Sequence, residues 1–573
     1  MTHRLASALA PLLLAGCATI QTDPVPIYDP AEQAGNVVAA DPRAAAAGMA
    51  MLEQGGSATD AAIATMFALN IVEPQSSGIG GGGFLVRGTA AGEIATLDGR
   101  ETAPADAGPG WFLGPDGKPQ SYDQVVRTGL SVGVPGNIAL AAKAHRRFGK
   151  LPWATLFAPA IALARDGFVM NERLHASLTG QFNRAGQTAE GRALYYGADG
   201  EPLPVGARIR NPALAETLER IARDGSEAFY GGDLVQAIVT TTAAATPSPS
   251  ALTQADVEGY EAKERPPVCG TYRTYRICGM GPPSSGGIAV LQMLGALERF
   301  DLTALGPRNL DFWLLFVEAQ RLAYADRELY LADSDFVPVP VAGLIDPAYI
   351  ARRSALINPA RAAAQVAAGR PSGAPLATGD GDEPPENGTS HFVAIGRDGT
   401  MVSYTSTIEG AFGSGLMVRG FYLNNELTDF SFSPEADGRP VANRVEGGKR
   451  PRSSMAPTVI YAPDGSPFMA VGAAGGSTIP VQVARSIIGV IDFGLPLKEA
   501  LGLPLAMAFG DTLIVEEGSW LAGELQALQT KGYPKVRAAS PPFRATGALY
   551  RNGKWQAEYD PRLDGLVGTL GGA

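Results

Sequence analysis

Histidine is scarce in this sequence, which limits the chemistry it can perform. The chain of 573 residues has 4 histidines: His3, His145, His175 and His391. A Ser-His-Asp triad or a histidine-rich metal centre therefore has few candidate residues. The HExxH and GxxxxGK[ST] motifs are absent as well, so neither a zincin site nor a P-loop is predicted. We expect no metal ion and no organic cofactor.

Positive charge is also in short supply. Lys and Arg number 46 against 57 Asp and Glu, which gives a formal net charge of −11 and a pI near 5.1. Contact with nucleic-acid phosphates needs clustered Lys and Arg, and no basic tract occurs. We therefore expect no nucleic-acid partner. Hydrophobic residues make up 45% of the chain, enough for a large core. By length, that core would form about two to four domains or one large unit.

Beyond position 17 the sequence has no hydrophobic run long enough to span a bilayer. The first residues combine Arg4, an apolar stretch and the sequence Leu14-Ala15-Gly16-Cys17. This pattern predicts a lipoprotein signal peptide at 1–16, lipidation at Cys17 and a tether over 17–34. The protein would then be exported to the periplasmic side of a bacterial membrane and held there only by its lipid anchor. The alternative is an ordinary cleaved signal peptide that contains a cysteine.

Only two further cysteines occur, Cys269 and Cys278, in the sequence PPVCGTYRTYRICGM. Alternating β-formers around Arg273-Thr274 predict a hairpin with a two-residue turn. That register places the two cysteines directly opposite each other at a non-hydrogen-bonded pair, where side chains lie closest. A disulfide is plausible in an oxidising compartment, and two reduced thiols are the alternative.

Capping signals and periodicity predict the main elements. A helix should begin at Asp41-Pro42 and end near Gly55, and Ser57 and Asp60 should cap a second helix. A glycine loop, SSGIGGGG, leads into a strand, and a long helix is predicted near residues 310–331. Residues 359–388 are rich in Ala, Pro, Gly and acidic residues, the composition of a mobile linker.

After this linker the pattern changes to that of β-structure. SHFVAIGRDGTMVSYTST alternates apolar and polar residues around a turn, as a β-hairpin does. Further strands are predicted at GFYLNN, APTVIYA and PFMAVGAAGG, and a helix at VQVARSIIGVIDFG. Helices on either side of antiparallel strands indicate an α+β protein built as a layered αββα sandwich.

The most informative segment is Asn387-Gly388-Thr389-Ser390-His391, where the linker meets a strand. A threonine that opens a strand is usually structural, but here the neighbouring motifs add to the interpretation. The sequence resembles the γ-glutamyltransferase family over about residues 35–565. The resemblance is carried by the order and spacing of AADPRAAAAGMAMLEQGGSATDAAIA, EPQSSGIGGGGFLV, DGRETAP, SVGVPG, MGPPSSGG, EAQRLAYADR, TSHF, TSTIEGAFGSG, LNNELTDFS, RPRSSMAPT and GAAGGS.

The resemblance implies a four-layer αββα sandwich of the N-terminal-nucleophile hydrolase type. It also implies that the chain cuts itself at the Gly388–Thr389 bond. A large subunit (35–388, with the 359–388 linker at its end) and a small catalytic subunit (389–573) would then remain together as a heterodimer. Cleavage would free the Thr389 α-amine, whose ordinary pKa of about 7.7–8.0 suits a general base. Nucleophile and base would then share one residue.

The resemblance also assigns the remaining site residues. Thr407 would orient the Thr389 hydroxyl, and Gly475-Gly476 would donate backbone N–H groups to the oxyanion. Arg100, Ser453 and Ser454 would bind the α-carboxylate of a γ-glutamyl group. Glu426 and Asp429 would bind its α-ammonium. Glu409 stands where many members have Asn, which adds a third carboxylate to the ammonium site.

Two further departures from the family concern its loops. The segment between Asp429 and Ser453 looks short and lacks Tyr and Trp, so a closing lid with an aromatic gate is not predicted. Pro504-Leu505-Ala506-Met507 stands where the family often has Pro-Arg and a nearby His, a change for which we have no functional account.

We therefore expect a self-cleaving γ-glutamyltransferase and glutathione hydrolase. Its substrates would be glutathione or another γ-glutamyl amide as donor, and water or an amino-acid or peptide amine as acceptor. One alternative is a cephalosporin-type acylase of the same fold, which would take glutaryl amides. Another is a catalytically idle lipoprotein that serves as a binding protein.

Overall fold

A computed structural model describes residues 35–247, 251–375, 379, 381, 388–540 and 544–567. The predicted signal peptide, Cys17 and the tether lie outside these residues. In chain order the strands are β1 (Asn36–Ala39), β2 (Gly82–Gly88), β3 (Ile94–Gly99), β4 (Phe168–Val169), β5 (Arg208–Ile209), β6 (Lys263–Arg265), β7 (Val268–Tyr272), β8 (Tyr275–Gly279), β9 (Ser390–Ile395), β10 (Met401–Thr407), β11 (Met417–Val418), β12 (Phe421–Tyr422), β13 (Glu435–Ala436), β14 (Arg439–Pro440), β15 (Thr458–Tyr461), β16 (Pro467–Gly472), β17 (Ala506–Phe509), β18 (Thr512–Glu516), β19 (Lys535–Ala539), β20 (Thr546–Arg551) and β21 (Lys554–Tyr559).

The helices surround these strands. They are α1 (Pro42–Glu53), α2 (Ala58–Val72), α3 (Tyr122–Val125), α4 (Asn137–Phe148), α5 (Ala158–Asp166), α6 (Glu172–Gly180), α7 (Phe182–Ala185), α8 (Ala189–Tyr195), α9 (Pro212–Asp224), α10 (Gly232–Ala244), α11 (Gln254–Glu258), α12 (Gly286–Leu297), α13 (Leu302–Leu305), α14 (Leu310–Tyr330), α15 (Val341–Leu344), α16 (Pro347–Ser354), α17 (Ile479–Ile491), α18 (Leu497–Leu501) and α19 (Leu525–Thr530). The described part of the chain has no helix with both the length and the apolar character needed to cross a membrane.

Two six-stranded antiparallel sheets form the centre of the molecule. The first has the order β1-β9-β10-β2-β3-β6, and the second has the order β21-β20-β16-β15-β8-β7. The sheets face each other, helices α1, α2 and α4 cover the first, and α12 and α17 cover the second, with α14 packed on α12. This arrangement confirms the predicted α+β, four-layer αββα sandwich.

Strand β9 shows why the inner layers are buried on both faces. Side chains alternate along a strand, so Phe392 and Ala394 pack into the helical layer outside the first sheet. Val393 and Ile395 point the other way, into the core shared with the second sheet. Every residue of β9 is buried. The strand that follows Thr389 is therefore held rigidly from both sides.

Local capping signals form as predicted. The Asp41 side chain accepts a hydrogen bond from Arg43 N at the start of α1. Ser57 and Asp60 form a reciprocal capping box at the start of α2. Burial of an apolar face then orients both helices on the first sheet.

The β7–β8 hairpin also forms in the predicted register. Arg273 and Thr274 both have positive φ, as a tight two-residue turn requires. Cys269 lies opposite Cys278, and the two are joined in a disulfide. Because β7 is at the edge of the second sheet, the disulfide closes a hairpin there.

The first part of the predicted 359–388 linker is hydrogen-bonded to the sandwich. Ala362 N donates to Lys531 O at 2.7 Å, and Gly369 N donates to Asp326 Oδ1 at 2.7 Å. Residues 376–378, 380 and 382–387 lie outside the described residues. The segment 504–507 runs into β17. Leu505 O accepts a hydrogen bond from Glu516 N of β18 at 2.8 Å, so this segment belongs to the small sheet of β17, β18 and β19.

Candidate active site

Thr389 immediately precedes β9, and its side chain is buried. Its Oγ1 lies 3.2 Å from Oγ1 of Thr407, which ends the adjacent strand β10. Thr389 Oγ1 also contacts Gly388 O, across the peptide bond that is predicted to be cut. The hydroxyl thus lies beside the carbonyl group of the preceding residue, where it could act as an intramolecular nucleophile.

Two features of the chain hold the Thr389 hydroxyl beside the Gly388 carbonyl. A side chain at position 388 would put its Cβ 2.0 Å from Glu409 O, so only glycine fits there. Thr407 Oγ1 accepts a hydrogen bond from Glu409 N at 2.8 Å, and it lies 3.4 Å from Gly388 O. Thr407 therefore contacts both the hydroxyl and the carbonyl of the Gly388–Thr389 pair.

The Gly475-Gly476 pair forms the turn between β16 and α17. Its φ values are 123° and 58°, a backbone conformation that glycine adopts without steric cost. A 3-10 helix, Gly476–Thr478, follows and runs into α17. Gln482 Nε2 holds the loop by donating to Ala474 O at 2.9 Å. Backbone N–H groups at such a helix start are suited to binding an anion.

Arg544 connects this glycine loop to the nucleophile. Its backbone O accepts from Ala474 N at 3.2 Å, while its guanidinium lies 3.4 Å from Thr389 O. Arg544 was not singled out by the sequence interpretation, because a single arginine in a loop has no motif around it.

Arg100 follows β3 and is buried, with two acidic partners. It forms ion pairs with Glu426 and with Asp429, the latter at 2.5 Å. Its guanidinium also donates to the backbone oxygens of Pro451 (3.2 Å) and Arg452 (2.8 Å). The structure thus brings together the predicted carboxylate-binding cation and both predicted ammonium-binding acids.

Ser453 and Ser454 directly follow the two backbone oxygens that hold Arg100. Ser453 Oγ accepts from Met455 N at 3.1 Å. Ser454 Oγ accepts from Arg327 Nη2 at 2.8 Å. Both serines are buried, and their hydroxyls contact Met455 and Arg327 while the backbone just before them holds Arg100.

Glu409 has left-handed backbone, with φ of 70°, and its carboxylate accepts from Asn425 Nδ2. Tyr122 OH lies 3.5 Å from Glu409 Oε2 and accepts from Arg184 Nη2 at 2.7 Å. Burial and the Glu409 charge raise the pKa of Tyr122, which keeps its hydroxyl protonated. A tyrosine from the large-subunit segment therefore lies next to Glu409, although the 429–453 loop has none.

Glu101 is a further residue of this site that the sequence interpretation missed. It is fully buried next to Arg100, and burial raises the pKa of its carboxyl group to about 7, although Arg100 opposes the shift. Its place next to Arg100 in the DGRETAP motif could have identified it as a site residue. We call Arg100, Glu101, Glu409, Glu426 and Asp429 the charged cluster.

His391, two residues after the nucleophile, lies in an apolar interior. Burial lowers its pKa to about 3, so the ring is neutral, and Nδ1 lies 2.8 Å from Thr405 Oγ1. Its ring packs against Gly472 of β16. Ser131, in the GxSxG pattern at 129–133, donates its hydroxyl to Val126 O at 2.9 Å. Neither residue is arranged as part of a Ser-His-Asp triad.

Two facing antiparallel sheets between helical layers, with a buried threonine leading into an inner strand, define the N-terminal-nucleophile class of hydrolases. The sequence profile of the gamma-glutamyltranspeptidase family matches residues 44–570. The chain belongs to the γ-glutamyltranspeptidase family.

Individual relatives include two kinds of enzyme. The glutathione hydrolase proenzyme of Bacillus subtilis is 37% identical over 517 residues, covering 87% of this chain and 86% of that protein. The acylase ACY 1 proenzyme of a Pseudomonas species is 35% identical over 544 residues, covering 92% and 93%. The crystal structure of cephalosporin acylase from Bacillus halodurans superposes with a TM-score of 0.80 at 25% identity, covering 95% and 98%.

Proposed function

We propose that this protein is a self-cleaving γ-glutamyltransferase and glutathione hydrolase with Thr389 as its nucleophile. The observation that carries the proposal is the contact between the Thr389 hydroxyl and the Gly388 carbonyl, with Thr407 beside both. The charged cluster supplies the second half of the case, because it combines the guanidinium and carboxylates that a zwitterionic γ-glutamyl end would need.

Maturation begins when Thr389 Oγ1 attacks the carbonyl carbon of Gly388. The C–N bond breaks, an ester joins Gly388 to the threonine oxygen, and the nitrogen takes a proton to become the Thr389 α-amine. Water then hydrolyses the ester, which leaves a Gly388 carboxylate and a free Thr389 hydroxyl. The new amine can now act as the base that this histidine-poor site otherwise lacks.

Catalysis uses the same groups on a substrate. The α-amine takes the hydroxyl proton as Thr389 Oγ1 attacks the γ-carbonyl, and the N–H groups of Gly475 and Gly476 stabilise the oxyanion. The leaving amine departs with the proton, and a γ-glutamyl ester remains on Thr389. Water, or an amino-acid or peptide amine, then attacks this ester and regenerates the enzyme.

Donor recognition is an exchange of ion pairs. Arg100 already pairs with Glu426 and Asp429, so the charges are paired and oriented before the donor arrives. The donor α-carboxylate would be bound by Arg100, with the hydroxyls of Ser453 and Ser454 adjacent. Its α-ammonium would be bound by Glu409, Glu426 and Asp429.

Acylases are among the relatives that share the fold of this chain, so glutaryl amides are kept as a second candidate substrate class. A glutaryl group has the carboxylate but lacks the α-ammonium. The three buried carboxylates of Glu409, Glu426 and Asp429 would then face no cation from the ligand, which costs binding free energy. We therefore assign γ-glutamyl donors and retain glutaryl donors as the alternative to be tested.

The test uses wild-type protein and the Thr389→Ala variant. Wild type should separate on a denaturing gel into two fragments, with Thr389 as the first residue of the smaller one, and Thr389→Ala should remain uncut. Matured wild type should hydrolyse γ-glutamyl-p-nitroanilide much faster than glutaryl-p-nitroanilide. Normal processing of Thr389→Ala would contradict the assignment. A single inactive wild-type chain would favour the idle binding protein, and faster glutaryl hydrolysis would favour the acylase.

We also propose that the protein is exported and lipid-anchored at Cys17, because the sequence Leu14-Ala15-Gly16-Cys17 has the pattern of a lipoprotein signal. The test is detergent phase separation of the protein expressed in a bacterium. Wild type should partition into the detergent phase, and the Cys17→Ser variant should partition into the aqueous phase. Equal partitioning of the two proteins would contradict lipidation.

A further inference from the structure

Two arginines and one glutamate form a second group of charges next to Thr389 and Ser390. Glu73 ends α2, and it forms an ion pair with Arg173 of α6. Ser390 Oγ, next to the nucleophile, donates to Glu73 Oε2 at 2.5 Å. Arg544 Nη1 lies 3.0 Å from Ser76 Oγ and 3.4 Å from Thr389 O. We call Glu73, Arg173 and Arg544 the cationic clamp.

The cationic clamp has one net positive charge, and its members are buried except for Arg544, which is half-buried. Glu73 and Arg173 are 1% and 9% exposed, and Ser76 is fully buried. Desolvation and, to a lesser extent, the like charge of Arg173 lower the pKa of Arg544 to about 9, although Glu73 opposes the shift. At neutral pH the clamp still comprises two cations and one anion.

The nitrogen of Thr389 is close to this charge. The nitrogen and carbonyl oxygen of one residue are about 3–4 Å apart, so the Arg544 guanidinium lies within about 7 Å of the nitrogen. A charge at that distance in a partly desolvated site changes the free energy of a second charge substantially. A positive charge disfavours a protonated amine.

From this geometry we infer that the cationic clamp is a positioning device for the nucleophile. Arg544 holds the Thr389 carbonyl through its side chain and the glycine loop through its backbone. The net charge of the clamp keeps the amine released by cleavage in its neutral, proton-accepting form. The inference rests on the proposed function, because it concerns the amine that self-cleavage creates.

The other titratable groups near Thr389 are neutral or are bonded to partners of their own. His391 on β9 is neutral, since burial lowers its pKa. Glu409 follows β10, and its carboxylate is bonded to Asn425. Glu101, Glu426 and Asp429 surround Arg100 in the charged cluster. In the described part of the chain, Arg544 bonds to Thr389 and Glu73 bonds to Ser390, so the net positive charge of the cationic clamp lies beside the nucleophile.

The test is the pH dependence of kcat/KM for γ-glutamyl-p-nitroanilide, measured on matured protein. Arg544→Met removes a positive charge, so the midpoint of the acidic limb should rise by about half to one pH unit. Glu73→Gln removes the negative charge, so the midpoint should fall by a similar amount. Arg544→Lys should restore the wild-type midpoint while kcat stays lower, because an ammonium lacks the planar geometry of a guanidinium.

The control is Arg223→Met, which removes an exposed arginine paired with Asp224 and should leave the profile unchanged. Unchanged midpoints in both charge variants, or shifts in the same direction, would overturn the inference. If Arg544→Met does not mature, Glu73→Gln decides alone, and an unchanged or higher midpoint counts against the inference. Wild-type protein that neither cuts itself nor hydrolyses the substrate would instead contradict the proposed function.

Discussion

The charged cluster contains one guanidinium and four carboxyl groups, all of them buried. Arg100 pairs with Glu426 and Asp429 and lies beside Glu101, and Glu409 is bonded to Asn425, the residue before Glu426. This excess of negative charge favours a ligand end that includes a cation. A cluster of this composition suits the α-ammonium of the proposed donor as well as its carboxylate.

Replacing Glu409 by Gln should weaken donor binding by removing one negative charge from the ammonium site. We expect the KM for γ-glutamyl-p-nitroanilide to rise about 3–10-fold. The rate with the glutaryl substrate, relative to the γ-glutamyl substrate, should rise too. Steady-state kinetics with both anilides measures these effects. Glu93→Gln, the same change at an exposed position, is the control, and equal KM values in wild type and Glu409→Gln would contradict this role.

Glu101→Gln should change how stability depends on pH. The folded-state pKa of Glu101, about 7, exceeds its ordinary value of 4.5. Between these two pH values the folded protein keeps a proton that the unfolded chain has lost. The contribution of Glu101 to the free energy of unfolding therefore falls as pH rises, and the full destabilisation is reached above pH 7. Gln cannot ionise, so the free energy of unfolding of the variant, relative to that of wild type, should rise by about 2–3 kcal/mol from pH 5 to pH 8.

Calorimetric melting of wild type and Glu101→Gln at pH 5 and pH 8 measures this difference. The melting temperature of the variant, relative to wild type, should be higher at pH 8 than at pH 5. A relative melting temperature that does not change between the two pH values would show that the Glu101 carboxyl ionises normally in the folded protein.

At the scale of elements, strands β9 and β16 approach each other closely across the two sheets. A Cβ built on Gly472 of β16 would lie 2.3 Å from Cε1 of His391 on β9. Both partners are buried, and Ser403 of β10 donates to Val471 O at 3.2 Å beside them. The position of the Thr389 strand therefore depends on the absence of a side chain at Gly472.

Gly472→Ala should push the two sheets apart at this point. We expect a loss of at least about 2 kcal/mol in the free energy of unfolding, because the imidazole ring has no space to move into. Slower self-cleavage should accompany this loss, since β9 carries Thr389. Thermal melting and the rate of fragment appearance measure the two effects. Gly180→Ala, where nothing lies within 4 Å of the added Cβ, is the matched control and should be tolerated.

At the scale of the whole molecule, the two predicted subunits share both sheets. In the first sheet, β9 and β10 from the 389–573 part lie between β1 and β2 from the earlier part. In the second sheet, β15 from the later part pairs with β8 from the earlier part. Cutting the Gly388–Thr389 bond therefore leaves every strand pairing intact.

The cut fragments should remain together without a covalent link. Matured protein should elute in gel filtration at the same volume as the uncut Thr389→Ala variant, and the fragments should separate only in denaturant. Light scattering on the eluted peak should give the mass of the uncut chain, as expected when one large and one small fragment stay together. Separation under native conditions would show that the shared sheets do not hold the subunits.

The sequence alone determined the features that depend on local order along the chain. The capped helices α1 and α2, the long helix α14 and the β9–β10 hairpin could be predicted, because caps and periodicity act over a few residues. The GFYLNN strand was predicted and contains β12, but the two-residue strands β11, β13 and β14 could not be predicted, since pairing there depends on what packs around them. The αββα layering followed from the order of these elements and from the family resemblance.

Only the tertiary structure decided which distant groups meet at Thr389. Arg544, Arg173 and Glu73 are far apart in the chain and have no shared motif, yet folding places them beside one residue. The same holds for Tyr122 next to Glu409 and for the high pKa of Glu101. Such contacts arise from the packing of separate layers and from the desolvation that packing causes. Neither effect can be read from neighbours in the sequence.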